Sequence, residues 1–464
     1  MTGPDRRHQI SDAAILMTTV TLVVAVWQGL LMSTLALACV VLLRQRPFVI
    51  LLCACVAVIG SWAATRAWEQ ATPRHVGAYT GWVEIVADPT PYGAGLRVTV
   101  EIDDERFDAW IYGGARRKLA DCHSGQFVWV EGSRTGLGSN ARRAQVRHVV
   151  GRFQLTVTGD VIDGSPLARA NNRVRGRLRG VAESTMTDVD AALFTGLVIG
   201  DDARQPGWMV DNFRASGLSH LTAVSGQNVA FVLAGALPLL RRLRPWWRWG
   251  ATVALIVWFM ALTRFEPSVL RAGVMAVLAA TAYVRGQQVR PVRVLSLAVL
   301  GLVLVDPLLV WSVGFWLSVG ATLGVCVVGP WLALRLPGPE WLRLPMAVTL
   351  GAQVGVVIPS LLVFGRLPIV SLPANLAAVP AAGFVMLYGL PAGLLASLLP
   401  SALQPLVMLP ATVGTRWVST VASVAAAVEP SPMWATLWWS AALSCLLAWW
   451  WWTRSRLDTA GVPI

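Results

Sequence analysis

What constrains this chain most is a succession of apolar runs, each close to the roughly 20 residues that a helix needs to cross a hydrocarbon layer. They form two blocks, residues 13–67 and 221–452, with a polar stretch between them. At 55% hydrophobic and 14% charged residues, the chain reads as a membrane protein and not as a soluble domain. The 23 Trp residues gather at run ends, as at Trp246, Trp247 and Trp249 or Trp449 to Trp452, where indole rings suit the headgroup layer.

The first block is interrupted at Arg44, Gln45, Arg46 and Pro47. Its leading part is too long for one pass and short for two, which predicts a break near Gln28 and Gly29 and three passes in all. The apolar stretch exceeds the core of a signal peptide and no A-x-A site precedes the second run, so cleavage is not expected. From about Trp68 to Asp163 the pattern changes to short alternating runs at 79–86, 96–102, 107–111, 126–131, 146–153 and 154–161, separated by Pro, Gly, Asp and Ser. Their length and spacing suit a five-stranded OB-type barrel. Acidic and basic residues nearly balance there. Even so, Arg116, Arg117 and Lys118 near Trp110, Tyr112 and Trp129 would form a stacking face for nucleic acid, against the plainer reading of a structural cap. In 167–180, Arg169, Arg173 and Arg177 share a helical face that would lie on an anionic membrane surface, track phosphates, or simply be solvated.

The second block offers about nine further passes. Arginines mark alternate connections: 241, 242, 244 and 248, then 285, 290 and 293, then 335 and 343, then 454 and 456. Glu266, Asp306 and Glu429 occupy the others. By the positive-inside rule the arginine connections are cytoplasmic, which places the β insert outside the cell and both termini inside, in agreement with Arg44 and Arg46. Residues 367–399, broken by Pro368, Pro373, Pro380 and Pro391, read as one distorted pass or a re-entrant segment. The expected fold class is therefore a mainly α polytopic membrane protein, with about eleven to twelve transmembrane helices and an inserted extracellular small β-barrel of OB type. Its expected divisions are N-terminal helices (1–67), the β domain (68–163), an Arg-rich amphipathic linker (164–205) and a channel domain (206–464).

Polar side chains inside the second block are where chemistry is expected. The stretch FRASGLSHLTAVSGQNVAF at 213–231 sets His220, Thr222, Ser225, Gln227 and Asn228 at the entrance to an apolar region, either as a lining or as hydrogen-bonding glue between helices. Arg271 lies several residues inside an apolar helix that Pro267 would start, and a buried guanidinium needs a partner or an anion. Glu266 sits where a helix start favours an acid. Gly351 and Gly355 make a small-x-x-x-small packing face around Gln353, and Asn375 would cap a half-helix among the prolines. The six cysteines follow no metal spacing, and Cys122 is alone in the polar insert. The five histidines, at 8, 75, 123, 148 and 220, form no H-x-H-x-D-H cluster. Ser225 is in A-V-S-G-Q, not a G-x-S-x-G elbow, and no P-loop is present. Neither a cofactor nor enzymatic activity is expected.

In order along the chain, FTGLVIGD (194–201), SGLSHLTAVSGQNVAF, EPSVLRAGVMAVL (266–278), DPLLVWSVGFWLSVGATLG (306–324) and GAQVGVVIPSLLVFGRLPIVSLPANLAAVP (351–380) resemble the ComEC-type competence channels. The resemblance implies passage of single-stranded DNA across the cytoplasmic membrane during natural transformation. An extracellular DNA receptor, a cytosolic helicase-like motor and a separate nuclease would be its partners. Residue by residue, His220, Ser225 and Gly226 match the S-H-L-x-A-x-S-G core, with Gln227 and Asn228 directly after it. Arg271 matches the S-V-L-R-A element, and Gln353 and Asn375 match later amide positions. Asn228 stands where many members have His, so no imidazole acts there. Many members append a metallo-β-lactamase-like domain; the form expected here lacks it. A channel-derived transporter of another polymer or metabolite, or a membrane assembly platform, remains the alternative.

Overall fold

The computed structural model describes residues 11–438, except 44–45, 139–140, 223–225, 289, 366–367, 431–432 and 435–437. Ser225, Cys445, Arg44, Gln45, Arg454, Arg456 and Trp449 to Trp452 thus lie outside the described residues.

Ser11 opens helix α1 (Asp12–Gln28), its hydroxyl accepting from the Ala14 amide as N-caps do. The helix ends at Gly29, whose φ of +77° suits glycine, and α2 (Leu30–Leu42) begins at once. The expected break falls there. At 1.5 Å per residue α1 and α2 reach only about 26 and 20 Å, whereas α3 (Pro47–Glu69) reaches about 34 Å.

A small sheet follows, built from β1 (Gly77–Ile85), β2 (Thr90–Tyr92), β3 (Gly95–Ile102), β4 (Glu105–Ile111), β5 (Phe127–Gly136) and β6 (Val149–Ile162), with helices α4 (Gly114–Ala120) and α5 (Arg142–Gln145) in its connections. The order is β1-β5-β6-β4-β3-β2, with β4 and β6 parallel and the other neighbours antiparallel. β1 also pairs with β3 at Glu84 and Glu101 and at Ile85 and Val100. Strand β3 shows the period of two that the sequence displays: Val98, Val100 and Ile102 are buried, with Arg97, Thr99 and Glu101 between them half-buried. With Val83, Phe107, Ile111, Val128, Val130, Phe153 and the free thiol of Cys122, they make one core.

The strand expectation needs two corrections. Runs 146–153 and 154–161 join into the single strand β6, because no turn residue separates Phe153 from Gln154. β2 was not anticipated, since Pro91 argues against a strand; as the last strand of the order, it tolerates a residue that cannot donate. Six strands thus replace the expected five.

The remaining helices are α6 (Pro166–Thr185), α7 (Asp188–Ile199), α8 (Gly207–Ala215), α9 (Ser219–Thr222), α10 (Gly226–Leu240), α11 (Pro245–Leu262), α12 (Pro267–Val284), α13 (Pro291–Val305), α14 (Val313–Ala333), α15 (Glu340–Phe364), α16 (Ser371–Ala396) and α17 (Gln404–Val428). Proline at the first helical position starts α3, α6, α11, α12 and α13, where its fixed φ fits and its missing N–H costs nothing. The largest core centres on α7: Phe194 and Leu197 pack with Leu178, Val229, Val385, Met408 and Val418.

Among the described residues five helices are long and apolar enough to cross a membrane, namely α3, α12, α14, α15 and α16. That is fewer than the eleven to twelve expected, because much of the apolar sequence is divided into the shorter helices α1, α2, α10 and α13. Residues 371–396 form one continuous helix with Pro380 and Pro391 inside it, as the single-pass alternative required.

The sheet is fastened to the helices by polar contacts. Asp88, between β1 and β2, accepts from Arg175 at 3.1 Å, from Arg264 at 2.9 Å and from the Ser124 amide at 2.8 Å. Burial alone would raise its carboxyl, but the Arg264 and Arg175 charges and the Ser124 N–H outweigh burial and hold it below the ordinary range. Arg175 also donates to the carbonyls of Ile199 at 2.8 Å and Leu262 at 3.1 Å, while Arg179 pairs with Asp201. Elsewhere His148 Nε2 lies 2.9 Å from Asp306 and Gln145 donates to the Ala71 carbonyl at 3.1 Å.

Candidate functional site

Arg271 is 4% exposed, on the second turn of α12. Its guanidinium donates to Thr322 Oγ1 at 3.0 Å and to Ser318 Oγ, both on α14 and four residues apart on one helical face. Among the described residues it forms no ion pair with a carboxylate, and its Nε has no hydrogen-bond partner. Gly226, the first residue of α10, lies alongside. A Cβ there would sit 3.2 Å from Arg271 Nη2 and 2.9 Å from Ala272 Cβ, so a larger residue would push α10 off α12.

A second polar group gathers around Ser371, at the start of α16. Gln353 Nε2 donates to its Oγ at 3.0 Å, and Asn375 Nδ2 donates to its carbonyl at 2.7 Å and its Oγ at 3.2 Å. Glu429 accepts from the amides of Ile369 and Val370, both at 3.1 Å, so its charge faces the positive end of α16. Gly217 closes the group: its φ of +73° favours glycine, and a Cβ would meet Ser371 Oγ at 2.6 Å. His220 is exposed and stands beside the Gly217 carbonyl.

One close helix pair joins the two groups. Gly320 and Gly324 of α14 lie against Gly355 and Gly351 of α15 with no side chain between the backbones. This contact sets Ser318 and Thr322, which hold Arg271, relative to Gln353, which reaches Ser371.

The sequence-derived site residues therefore sort as follows. Gly226 meets Arg271, and Gln353 meets Asn375 through Ser371. Gln227 is exposed on α10. Asn228 is buried and donates to the Leu197 carbonyl at 3.1 Å, tying α10 to the last turn of α7, so the glue reading fits it best. Ser318, Thr322 and Ser371 carry no such mark in the sequence beyond two hydroxyls four residues apart on an apolar helix, and Glu429 stands out there only as the acid of a connection. Glu266 is the residue before α12, as expected, and makes no capping bond. Its carboxyl is raised by burial and by the Asp202 charge; the Asp202 carboxyl is raised by burial and by Asp201.

Arg116, Arg117 and Lys118 are exposed on α4, and Arg169, Arg173 and Arg177 are exposed on one face of α6. The expected aromatic face is divided. Trp110, on β4, lies under the Arg152 guanidinium at 5.3 Å. Trp129, on β5, is the cross-strand partner of Trp82 and lies against Gly159. Gly159 is seven residues from Arg152 along β6, roughly 23 Å in an extended strand. Trp129 is therefore not part of one stacking face with Trp110.

Residues 197–456 match the family described as Competence protein, a range that takes in both polar groups. Uncharacterized protein YcaI of Escherichia coli is 25% identical over 211 residues, 42% of this chain and 28% of that protein. ComE operon protein 3 of Bacillus subtilis is 26% identical over 225 residues, 48% of this chain and again 28% of that protein. The matched stretch is thus little more than a quarter of the length of either relative. No solved structure matches. With more than half of its length covered by that family, this membrane protein belongs to the competence protein family.

Proposed function

We propose that α10, α12, α14, α15 and α16 border a path by which single-stranded DNA crosses the cytoplasmic membrane during natural transformation. The observation that carries this reading is Arg271, a guanidinium buried in an apolar helix and held, among the described residues, by neutral groups. Such a charge calls for an anion, and a passing phosphate supplies one. The hydroxyls and amides of Ser371, Gln353 and Asn375, with His220 nearby, offer hydrogen bonds without fixed charge, which lets a polyanion pass without being trapped.

In this reading residues 206–464 are the channel domain and residues 164–205 the linker. Residues 68–163 are the extracellular domain; the OB-type barrel expected of them is replaced by a six-stranded sheet, with β2 at the end of its order. Both termini are cytoplasmic. Arg116, Arg117 and Lys118, and the stripe Arg169, Arg173 and Arg177, meet DNA or anionic lipid. An extracellular receptor delivers the DNA, a cytosolic motor draws the strand in, and a separate nuclease removes its complement.

The test is nuclease-protected uptake of labelled DNA by cells whose only copy carries Arg271→Leu. Losing one charge-assisted contact worth roughly 1.5–3 kcal/mol should lower uptake at least about tenfold, while DNA still binds outside and stays open to added nuclease. Arg271→Lys should retain part of the activity. Normal uptake by Arg271→Leu at normal membrane abundance refutes the reading; low abundance of the variant assigns Arg271 to packing instead.

A further inference from the structure

The connection between α11 and α12 is bent against its own preference. Arg264 and Phe265 both adopt left-handed backbone, with φ of +60° and +53°. Neither is glycine, Asn or Asp, and such residues keep this backbone only where their surroundings impose it. The two lie between the end of α11 and Glu266, immediately before the helix that carries Arg271.

Inside the bend, the Phe265 amide donates to the Met260 carbonyl at 2.8 Å and Thr263 Oγ1 donates to the Phe259 carbonyl at 2.9 Å. From outside, Arg264 Nη2 donates to both oxygens of Asp88, at 2.9 and 3.3 Å, and to Asn172 Oδ1 at 2.7 Å. The same carboxylate binds Arg175, which donates to the carbonyl of Leu262. Asp88 therefore holds the connection at two points, directly at Arg264 within the bend and, through Arg175, at Leu262 where α11 ends. It belongs to neither helix: it sits in the β1–β2 connection of the sheet.

We propose that Asp88 is a positioning residue for α12. From the sheet, and through Arg264, it holds the strained bend at 263–266, and with it the setting of α12 that brings Arg271 beside Gly226 and under Ser318 and Thr322. A load on the sheet is then felt at Arg271 through one carboxylate. The significance for transport rests on the reading of Arg271 given above; the positioning itself does not.

The sheet has other fastenings, His148 to Asp306 and Gln145 to Ala71, so loss of the Asp88 carboxylate should free the bend without detaching the sheet. Hydrogen exchange of the purified full-length protein, followed by mass spectrometry, separates these effects. Asp88→Asn and Arg264→Gln should each speed exchange across 263–271 by at least about tenfold, with the double variant no faster than the worse single one, since both remove the same contact. Asp88→Glu should restore most of the protection, and strands β3 and β4 should stay protected throughout. His148→Ala, which cuts a different fastening, should leave 263–271 unchanged. Unchanged exchange in both Asp88→Asn and Arg264→Gln overturns the proposal, as does an equal rise in His148→Ala. If Asp88→Asn fails to accumulate, Arg264→Gln carries the same two outcomes. Because the readout involves no DNA, it stands or falls apart from the uptake result for Arg271.

Discussion

Changing Gly355 to Ala adds one methyl group at the point where α14 and α15 touch through their backbones. A Cβ there would lie 2.7 Å from the carbonyl carbon of Gly320 and 3.1 Å from the Gly324 amide nitrogen, and nearer still to the Gly320 carbonyl oxygen. Ordinary carbon contacts need about 3.5–4.0 Å, so the helices must part by roughly 1 Å. Backbone has no other rotamer to adopt, which puts the change among overpacking substitutions that cost about 1–3 kcal/mol. Part of this is offset, because alanine favours a helix over glycine by roughly 0.8–1 kcal/mol. Gly250→Ala in α11 isolates that offset, since nothing lies within 4 Å of a Cβ there. Thermal unfolding of purified protein, followed by its tryptophan fluorescence, should place Gly355→Ala a few degrees below Gly250→Ala, with Gly250→Ala at or slightly above the parent, at about 2–4 °C per kcal/mol for chains of 150–250 residues and less for longer ones. Equal midpoints for the two variants would refute the close helix contact, and with it the setting of Ser318 and Thr322 relative to Gln353.

Two further outcomes are expected. Because the Asp88 carboxyl titrates below its ordinary value near 3.8 when folded, its stabilising contribution is complete above that value and is lost as pH falls through the lower, folded one. The melting temperature of the parent should therefore drop more steeply below about pH 4 than that of Asp88→Asn, and parallel curves would count against the buried pairing. Cys122 is 3% exposed, with its thiol raised by burial and by the Asp121 charge, so peptide mapping after maleimide treatment at neutral pH should find it unmodified until denaturant is added; rapid native labelling would show that the sheet core is open.

Local signals were the legible ones. Proline at the first helical position announced α12 and put Arg271 inside it, period-two alternation announced β3, and the spacing of Arg169, Arg173 and Arg177 gave their common face. The same run also supplies Arg175 and Arg179, which are engaged with Asp88 and Asp201, and nothing in its periodicity distinguishes them from the exposed three. Asp88 lies 87 residues from Arg175 and 176 from Arg264, separations at which a single sequence carries no pairing signal. Ser371 escaped notice for another reason: small hydroxyls are common in membrane helices, and only the convergence of Gln353, Asn375 and Gly217 upon it gives it weight. Among the described residues five helices have the length and apolarity of a crossing against the eleven to twelve expected, because the expectation counted apolar length without its interruptions, of which Gly29 is the plainest.

Those interruptions bear on how a bilayer would fit around the protein. Helices α1, α2, α10 and α13 reach about 20–26 Å and α15 and α16 about 38 Å, against a hydrocarbon layer of about 30 Å. Set upright in a bilayer, these helices would give an apolar belt of uneven height, and lipid adapts to such mismatch by thinning beside short helices and thickening, or letting the helix tilt, beside long ones. Among the described residues α2 leaves Leu31 at 85% exposure and Leu35 at 62%, an apolar surface of the kind lipid covers. α10, whose first residue adjoins Arg271, is one of the short helices, so a dimple in the bilayer at that place would shorten the low-dielectric distance that any charged group has to cross.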